Sequence, residues 1–332
     1  MLVWIGFISL IVCFLALDLG VFHRKAHVVT AREGLAWSAV WMALAIAFGG
    51  FVYGAYEHQW LGLGIHPDPV ERTPQIPHGV PNDGEAALLK YLTGYVVEQS
   101  LSVDNMFVIA MIFRFFAVPP AYQHRVLFWG ILGALTMRGA MILLGAKLVA
   151  DYNWVLYVFG GFLLLTAVKM LFMDSEPGDP RNNLLIRTTR RLFAVTKRYH
   201  GEKFLVRRRR AILLTPLALA LVMVEATDVL FAVDSIPAIF AITADPFLVF
   251  ASNAFAILGL RSLYFVLAGA LDSFRYLKTS LAVVLALVGT KMLAHVWLKQ
   301  ALGEHYTLYV LGAVVVVLSA GATASRLFPE RH

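Results

Sequence analysis

Glu98-Gln-Ser-Leu-Ser-Val-Asp104-Asn105 and Glu225-Ala-Thr-Asp228-Val-Leu-Phe-Ala-Val-Asp234-Ser-Ile-Pro237 put five carboxylates inside apolar runs long enough to cross a bilayer. An ionisable side chain at bilayer depth costs about 2.5–3.5 kcal/mol on insertion scales, so such positions are seldom idle. No Cys and no His stands among them. Acids with amide, hydroxyl and carbonyl oxygens nearby describe a path for a hard cation.

The rest of the chain supports a membrane setting. Of its 332 residues, 59% are hydrophobic and 15% charged, with a mean hydropathy of +0.72. A soluble domain has about half apolar residues and about a quarter charged ones. Several uninterrupted apolar runs near 20 residues predict an all-α polytopic membrane protein and exclude a β-barrel, whose strands would alternate. The lone Cys13 cannot form an internal disulfide. Residues 1–20 lack a basic n-region and an A-x-A site, so they read as a retained first helix. The net charge of +7 resides mainly in connections between spans, where topology explains it better than nucleic acid does.

About nine spans are predicted, near 2–20, 35–54, 87–113, 125–149, 154–173, 212–242, 247–271, 279–299 and 305–328. They form a single transmembrane domain over 1–332. Within it lie two N-terminal helices (1–54), an extracytoplasmic loop (55–86), a first three-helix unit (87–173), a basic cytoplasmic loop (174–211), a second unit (212–299) and a C-terminal helix (300–332). The basic loop carries Arg181, Arg187, Arg190, Arg191, Lys197, Arg198, Lys203 and Arg207 to Arg210. The positive-inside rule makes it cytoplasmic, with the N-terminus outside and the C-terminus inside. Five prolines in the outer loop predict an extended, turn-rich segment. A short amphipathic helix near Leu184 to Tyr199 is the minor alternative to a solvated cytoplasmic loop.

Glu98 through Pro119 lies on Glu225 through Pro246 with a constant offset of 127 residues. Further along, with slightly shorter offsets, Arg138 corresponds to Arg261, and Lys169-Met170-Leu171 to Lys291-Met292-Leu293. An offset of 124 instead pairs Asp104 with Asp228. Units of three spans run in opposite senses, the inverted repeat of many transporters, whose sites lie near mid-membrane at the repeat interface.

In the third span Glu98, Ser102 and Asn105 fall on one helical face, with Asp104 beside it. In the sixth, Glu225 and Asp228 are one turn apart, whereas Asp234 points away from Glu225 on a straight helix. Pro237 is expected to kink or unwind the segment Val233–Ile236, turning Asp234 inward and freeing carbonyls. The metal-binding candidates are therefore Glu98, Asp104, Asn105, Glu225, Asp228 and Asp234. Such oxygens suit Mg²⁺, Ca²⁺ or Mn²⁺. Met106 and Met223 sit nearby, where packing is the better account. Arg138 and Arg261, also mid-span, could neutralise two of the acids, making a purely structural polar core the bland alternative. Proton relay is a third reading. Asp18 could line the cytoplasmic mouth or cap a neighbouring helix, Ser102 lies on the path face, and Asn253 reads as an interhelical hydrogen bonder.

The strings Leu17-Asp18-Leu-Gly-Val-Phe-His23-Arg24, Glu98 to Asn105, Val224 to Ala238 and Ser252-Asn253-Ala-Phe-Ala-Ile-Leu-Gly-Leu-Arg261-Ser resemble the TerC family, particularly its bacterial Alx-like branch. The resemblance runs from the first span to the eighth. It implies an exporter of divalent metal in the bacterial inner membrane, chiefly for Mn²⁺ and in some members Ca²⁺, with transport roles for Glu98, Asp104, Glu225, Asp228 and Asp234. With no G-x-x-x-x-G-K-[ST] motif, the expected driving force is an ion gradient, most simply proton antiport. No resident cofactor, no nucleic-acid partner and no enzymatic activity are expected. The competing readings are a membrane-assembly factor without transport and an exporter of a small organic solute.

Overall fold

A computed structural model describes residues 2–17, 31–72, 79–152, 154–172, 194–196, 198–208, 211–267, 276–294, 297–298 and 306–327. Its long helices are α1 (Leu2–Leu17), α2 (Ala31–Glu57), α3 (Gly84–Phe115), α4 (Pro120–Asp151), α5 (Trp154–Phe172), α6 (Pro216–Phe240), α7 (Pro246–Leu267), α8 (Leu277–Leu293) and α9 (Tyr306–Leu327). Six of them, α2 to α7, are long and apolar enough to cross a membrane. The polytopic all-α class follows. Large apolar side chains such as Leu143, Leu144, Leu165 and Phe172 face outward, as lipid contact requires.

Local chemistry sets the helix starts. Asp83 caps α3, accepting from the Ala86 amide at 2.7 Å. Asp245 accepts from the amides of Phe247 (2.9 Å) and Leu248 (3.4 Å) at the start of α7, with Pro246 as the first helical residue. Thr215 caps α6 in the same way, followed by Pro216. This moves the start of the sixth span from the expected 212 to 216. Residues 211–214 instead form β4 (Ala211–Leu214), paired antiparallel with β3 (Leu205–Arg208). The hairpin was not foreseen, because Ile212-Leu213-Leu214 merges with the apolar run that follows. The expected amphipathic helix near 184–199 falls mostly outside the described residues.

α3 packs on α7, α4 on α6 and α5 on α8, while α3 also meets α6, and α4 meets α7. α2 covers α3 and α7, α9 lies on α8, and α1 touches α7. Three apolar clusters result. One joins α5, α6 and α8; one joins α1, α2, α3 and α7; one joins the end of α3 to the starts of α4 and α6. The middle of α3, α4, α6 and α7 lies where these clusters meet.

The connections sort onto two faces. On one, Arg72 donates to the carbonyls of Val149 and Ala150 at the end of α4, and Asp68 binds the α6–α7 turn. The segment carrying them is built of 3-10 turns and the two-residue pair β1 (Pro67–Asp68) with β2 (Val80–Pro81), turn-rich as expected. On the other face, the Tyr199 hydroxyl donates to the Phe116 carbonyl at 2.6 Å, and Arg125 pairs with Glu202 at 2.8 Å.

Candidate functional site

Arg138 of α4 is fully buried and is the hub of the mid-membrane polar cluster. Its Nη1 donates to Glu98 of α3, to Ser235 of α6 at 3.2 Å and to Asn253 of α7 at 3.0 Å. Its Nε and Nη2 grip both oxygens of Asp228 on α6, at 3.2 and 2.9 Å. The planar guanidinium fork suits this two-point contact, which an ammonium could not reproduce. One cation thus stands between two carboxylates, joining four helices.

The balance is incomplete. Among the described residues, the second oxygen of Glu98 and the hydroxyl of Ser102, one turn further on, are buried without a hydrogen-bond partner. The Gln99 carbonyl oxygen is in the same condition. Buried polar atoms of this kind cost free energy unless something else satisfies them. Asn105 is buried on the same stretch of α3, so the face foreseen from Glu98, Ser102 and Asn105 does turn inward. The side chain of Asp104 and all of Asp18 lie outside the described residues.

Glu225, half-buried one turn before Asp228, rests against Gly133 of α4, where any Cβ would collide with its carboxylate. Among the described residues no ion pair or hydrogen bond reaches it. Asp234 departs from expectation. α6 stays helical through Pro237 to Phe240, with no unwound segment before the proline. Asp234 therefore keeps to its own side of the helix and accepts from Thr166 of α5 at 3.3 Å, with Lys169 nearby. It does not join the Arg138 cluster. The proline is tolerated because it lies in the helix's last turn, where only one intrahelical bond is lost. Asn253 bridges helices, with its amide donating to the Val249 carbonyl at 3.3 Å while its oxygen accepts from Arg138. Arg261 is buried on α7 and, with Asp228, Met106 and Tyr264, lines a narrow cavity of about 30 Å³. Met106 and Met223 pack in the apolar cluster beside it.

Among the described residues no three His, Cys, Asp or Glu side chains converge as a ready cage for a metal. Glu98 and Asp228 instead share Arg138. Ser235, Thr166 and Gly133 escaped sequence reasoning. Ser235 stands inside the quoted acidic string, so its position was the available signal; a glycine or threonine in an apolar helix gives none.

The 83–332 segment matches the description "Integral membrane protein TerC family". The chain belongs to the TerC family. It is 48% identical over 289 residues to "Uncharacterized membrane protein STKORF319" of Myxococcus xanthus, covering 87% of this chain and 82% of the relative. It is 41% identical over 319 residues to "Putative membrane-bound redox modulator Alx" of Escherichia coli K12, covering 95% and 94%. An "Uncharacterized membrane protein" of Rickettsia bellii is 38% identical over 292 residues, covering 88% of each chain. No solved structure matches.

A second polar cluster, absent from the sequence reading, lies at the face that holds the 58–83 connection. Lys90, buried on the first turns of α3, contacts Asp68 (3.0 Å), Glu71 (3.1 Å) and Asn82 (2.7 Å). Asp68 also accepts from the Thr243 hydroxyl at 2.5 Å and the Ala244 amide at 3.0 Å. Burial alone would raise the Asp68 pKa, but Lys90, Thr243 and Ala244 together hold it below the ordinary aspartate range. Neighbouring Asp245 is pushed up, first by burial and then by Asp68, although the Tyr56 hydroxyl donates to it at 2.8 Å. Gly79, at φ +84, lets the chain pass against the Asp68 backbone, where a Cβ would collide.

Proposed function

We propose that this TerC-family chain exports a divalent metal ion, Mn²⁺ foremost and Ca²⁺ as the alternative, by alternating access at the Glu98–Asp228–Glu225 site. The observation that carries the reading is a buried mid-membrane cluster with more carboxylate than cation. Glu98 and Asp228 share one arginine, Glu225 has no partner among the described residues, and a Glu98 oxygen and the Ser102 hydroxyl are unsatisfied. Unsatisfied hard oxygens in a low-dielectric setting favour a cation with a strong demand for oxygen ligands. The crossed pairing of α3 with α7 and α4 with α6 supports an inverted repeat of α3–α5 and α6–α8, with the site at their seam. Arg138 covers Glu98 and Asp228, leaving Glu225 as the acid whose counter-charge in the empty carrier would be a proton. Exchange of metal against protons is the coupling this favours.

The test is Mn²⁺ flux into proteoliposomes holding a Mn²⁺-quenched dye, comparing wild type with Glu225→Gln. Asp228→Asn is the blunter probe, because it also strips Arg138 of half its grip. Glu225→Gln removes a charge that no arginine holds, so folding should survive while flux falls about tenfold or more. Undiminished flux in that variant would sink the assignment. The relatives' name "redox modulator" raises a second reading. The chain's single cysteine, Cys13, is exposed on α1, so a thiol-based role would have to run through an intermolecular bond. Export that persists in Cys13→Ser favours transport over that reading.

A further inference from the structure

We infer that Arg138 is a built-in partial substitute for the transported cation: it supplies one positive charge between Glu98 and Asp228 in the empty carrier and yields both acids when metal arrives. The inference rests on the transport reading and deepens it by saying how the empty site returns across the membrane. Arg138 contacts both carboxylates that the metal would need, so a cation bridging Glu98 and Asp228 must take the guanidinium's place. The two occupancies exclude each other. A guanidinium cannot make way by losing its proton, so exchange must occur by displacement. The arrangement is suited to that. Asp228 keeps a side chain 14% exposed, at the edge of the narrow cavity lined by Arg261 and Met106, whereas Glu98 is sealed. Metal would therefore meet Asp228 first and Glu98 second. Ser235 and Asn253 hold the guanidinium through neutral oxygens, which fix its place without adding charge.

The consequence concerns the half of the cycle that carries no cargo. Two bare carboxylates in a low-dielectric seam resist reorientation, and an arginine that fills in for the metal offsets half of that charge and lowers the barrier. Without Arg138 the loaded carrier still moves in both directions, but the empty one does not return. The experiment uses the full chain in proteoliposomes and two assays, net Mn²⁺ uptake and tracer Mn²⁺ exchange at equal concentration on both sides. Arg138→Gln should lose net uptake by about tenfold or more while exchange stays within about threefold of wild type. Arg138→Lys, which restores the charge but not the two-point grip on Asp228, should recover part of the net uptake lost in Arg138→Gln. Equal loss of both modes in folded Arg138→Gln, or unchanged net uptake, overturns the inference. Ser235→Ala guards against a variant that fails to fold. It loosens the guanidinium without touching an acid, so the apparent KM for Mn²⁺ should fall about two- to threefold; an unchanged or raised KM also overturns the inference. Wild type inert in both assays defeats the transport reading itself, and this one with it.

Discussion

Asp68 and Glu98 are both buried acids tied to a basic side chain, yet they differ in what is left over. Every oxygen of Asp68 is engaged, by Lys90, Thr243, Val70 and Ala244. Among the described residues, Glu98 keeps one oxygen without a hydrogen-bond partner. A saturated carboxylate holds structure, whereas an unsaturated one invites a ligand, and Asp68 and Glu98 divide along that line even though the Asn82 amide nitrogen beside Lys90 is itself unsatisfied among the described residues. Asp68→Asn should therefore cost stability, about 1–3 kcal/mol, since Lys90 loses one carboxylate but keeps Glu71 and Asn82. The pH dependence follows from the lowered pKa of Asp68. A carboxyl more acidic folded than unfolded contributes stability above its unfolded value and loses it as pH falls through the folded one. The gap in thermal midpoint between wild type and Asp68→Asn should hold from neutrality down to the ordinary aspartate range and close below it. Scans in detergent across that interval check the sign; a gap that widens on acidification would contradict the assignment of Lys90 as its dominant partner.

At the scale of helices, what the sequence revealed depended on how loudly a residue violates its surroundings. Glu98, Arg138, Glu225 and Asp228 are legible because a charge in an apolar run stands out against the hydropathy pattern, and the cluster indeed unites three of them. The destination of Asp234 was not legible. It depended on whether Pro237 would break α6, and a proline four residues from a helix end need not do so. Lys90 was overlooked because its partners, Asp68, Glu71 and Asn82, come from a connection whose path no periodicity reveals. The β3–β4 hairpin was lost for the opposite reason, its apolar strand continuing without interruption toward α6. The signal that separates them was present: Thr215-Pro216 is a cap followed by a proline at the first helical position. The Thr215 hydroxyl also donates to the Lys203 carbonyl at 2.8 Å, and its amide donates to that of Phe204 at 3.0 Å, so it joins the hairpin to the helix. Thr215→Ala should lower stability by about 1 kcal/mol through the lost cap. It should also raise proteolytic sensitivity around 203–214. Intact digestion kinetics would show that the hairpin is held elsewhere.

For the whole molecule, the sense of the proposed export depends on which face meets the cytoplasm. The contacts fix only the grouping: the 58–83 connection, the end of α4 and the α6–α7 turn share one face, and the 194–215 segment with the α3–α4 turn shares the other. Charge supplies the sense. The second face carries Arg125, Arg198, Lys203 and Arg207, whereas the first presents Glu57, Asp83 and Glu85 at its helix ends beside, among the described residues, a single arginine, Arg72. We propose from the positive-inside bias that the basic face is the cytoplasmic one. In the proposed orientation the Asp68–Lys90 pair would lie on the outer side, and the cavity beside Asp228, lined by Met106 and Tyr264, would lie on the cytoplasmic side, where the proposed exporter would load. A membrane-impermeant maleimide distinguishes the two senses in a Cys13→Ser background. Ile65→Cys, on the exposed outer connection, should label in intact spheroplasts, and Leu205→Cys, exposed on the hairpin, only after permeabilisation. The reverse pattern would turn the loading side of Asp228 outward and make the same site an importer's.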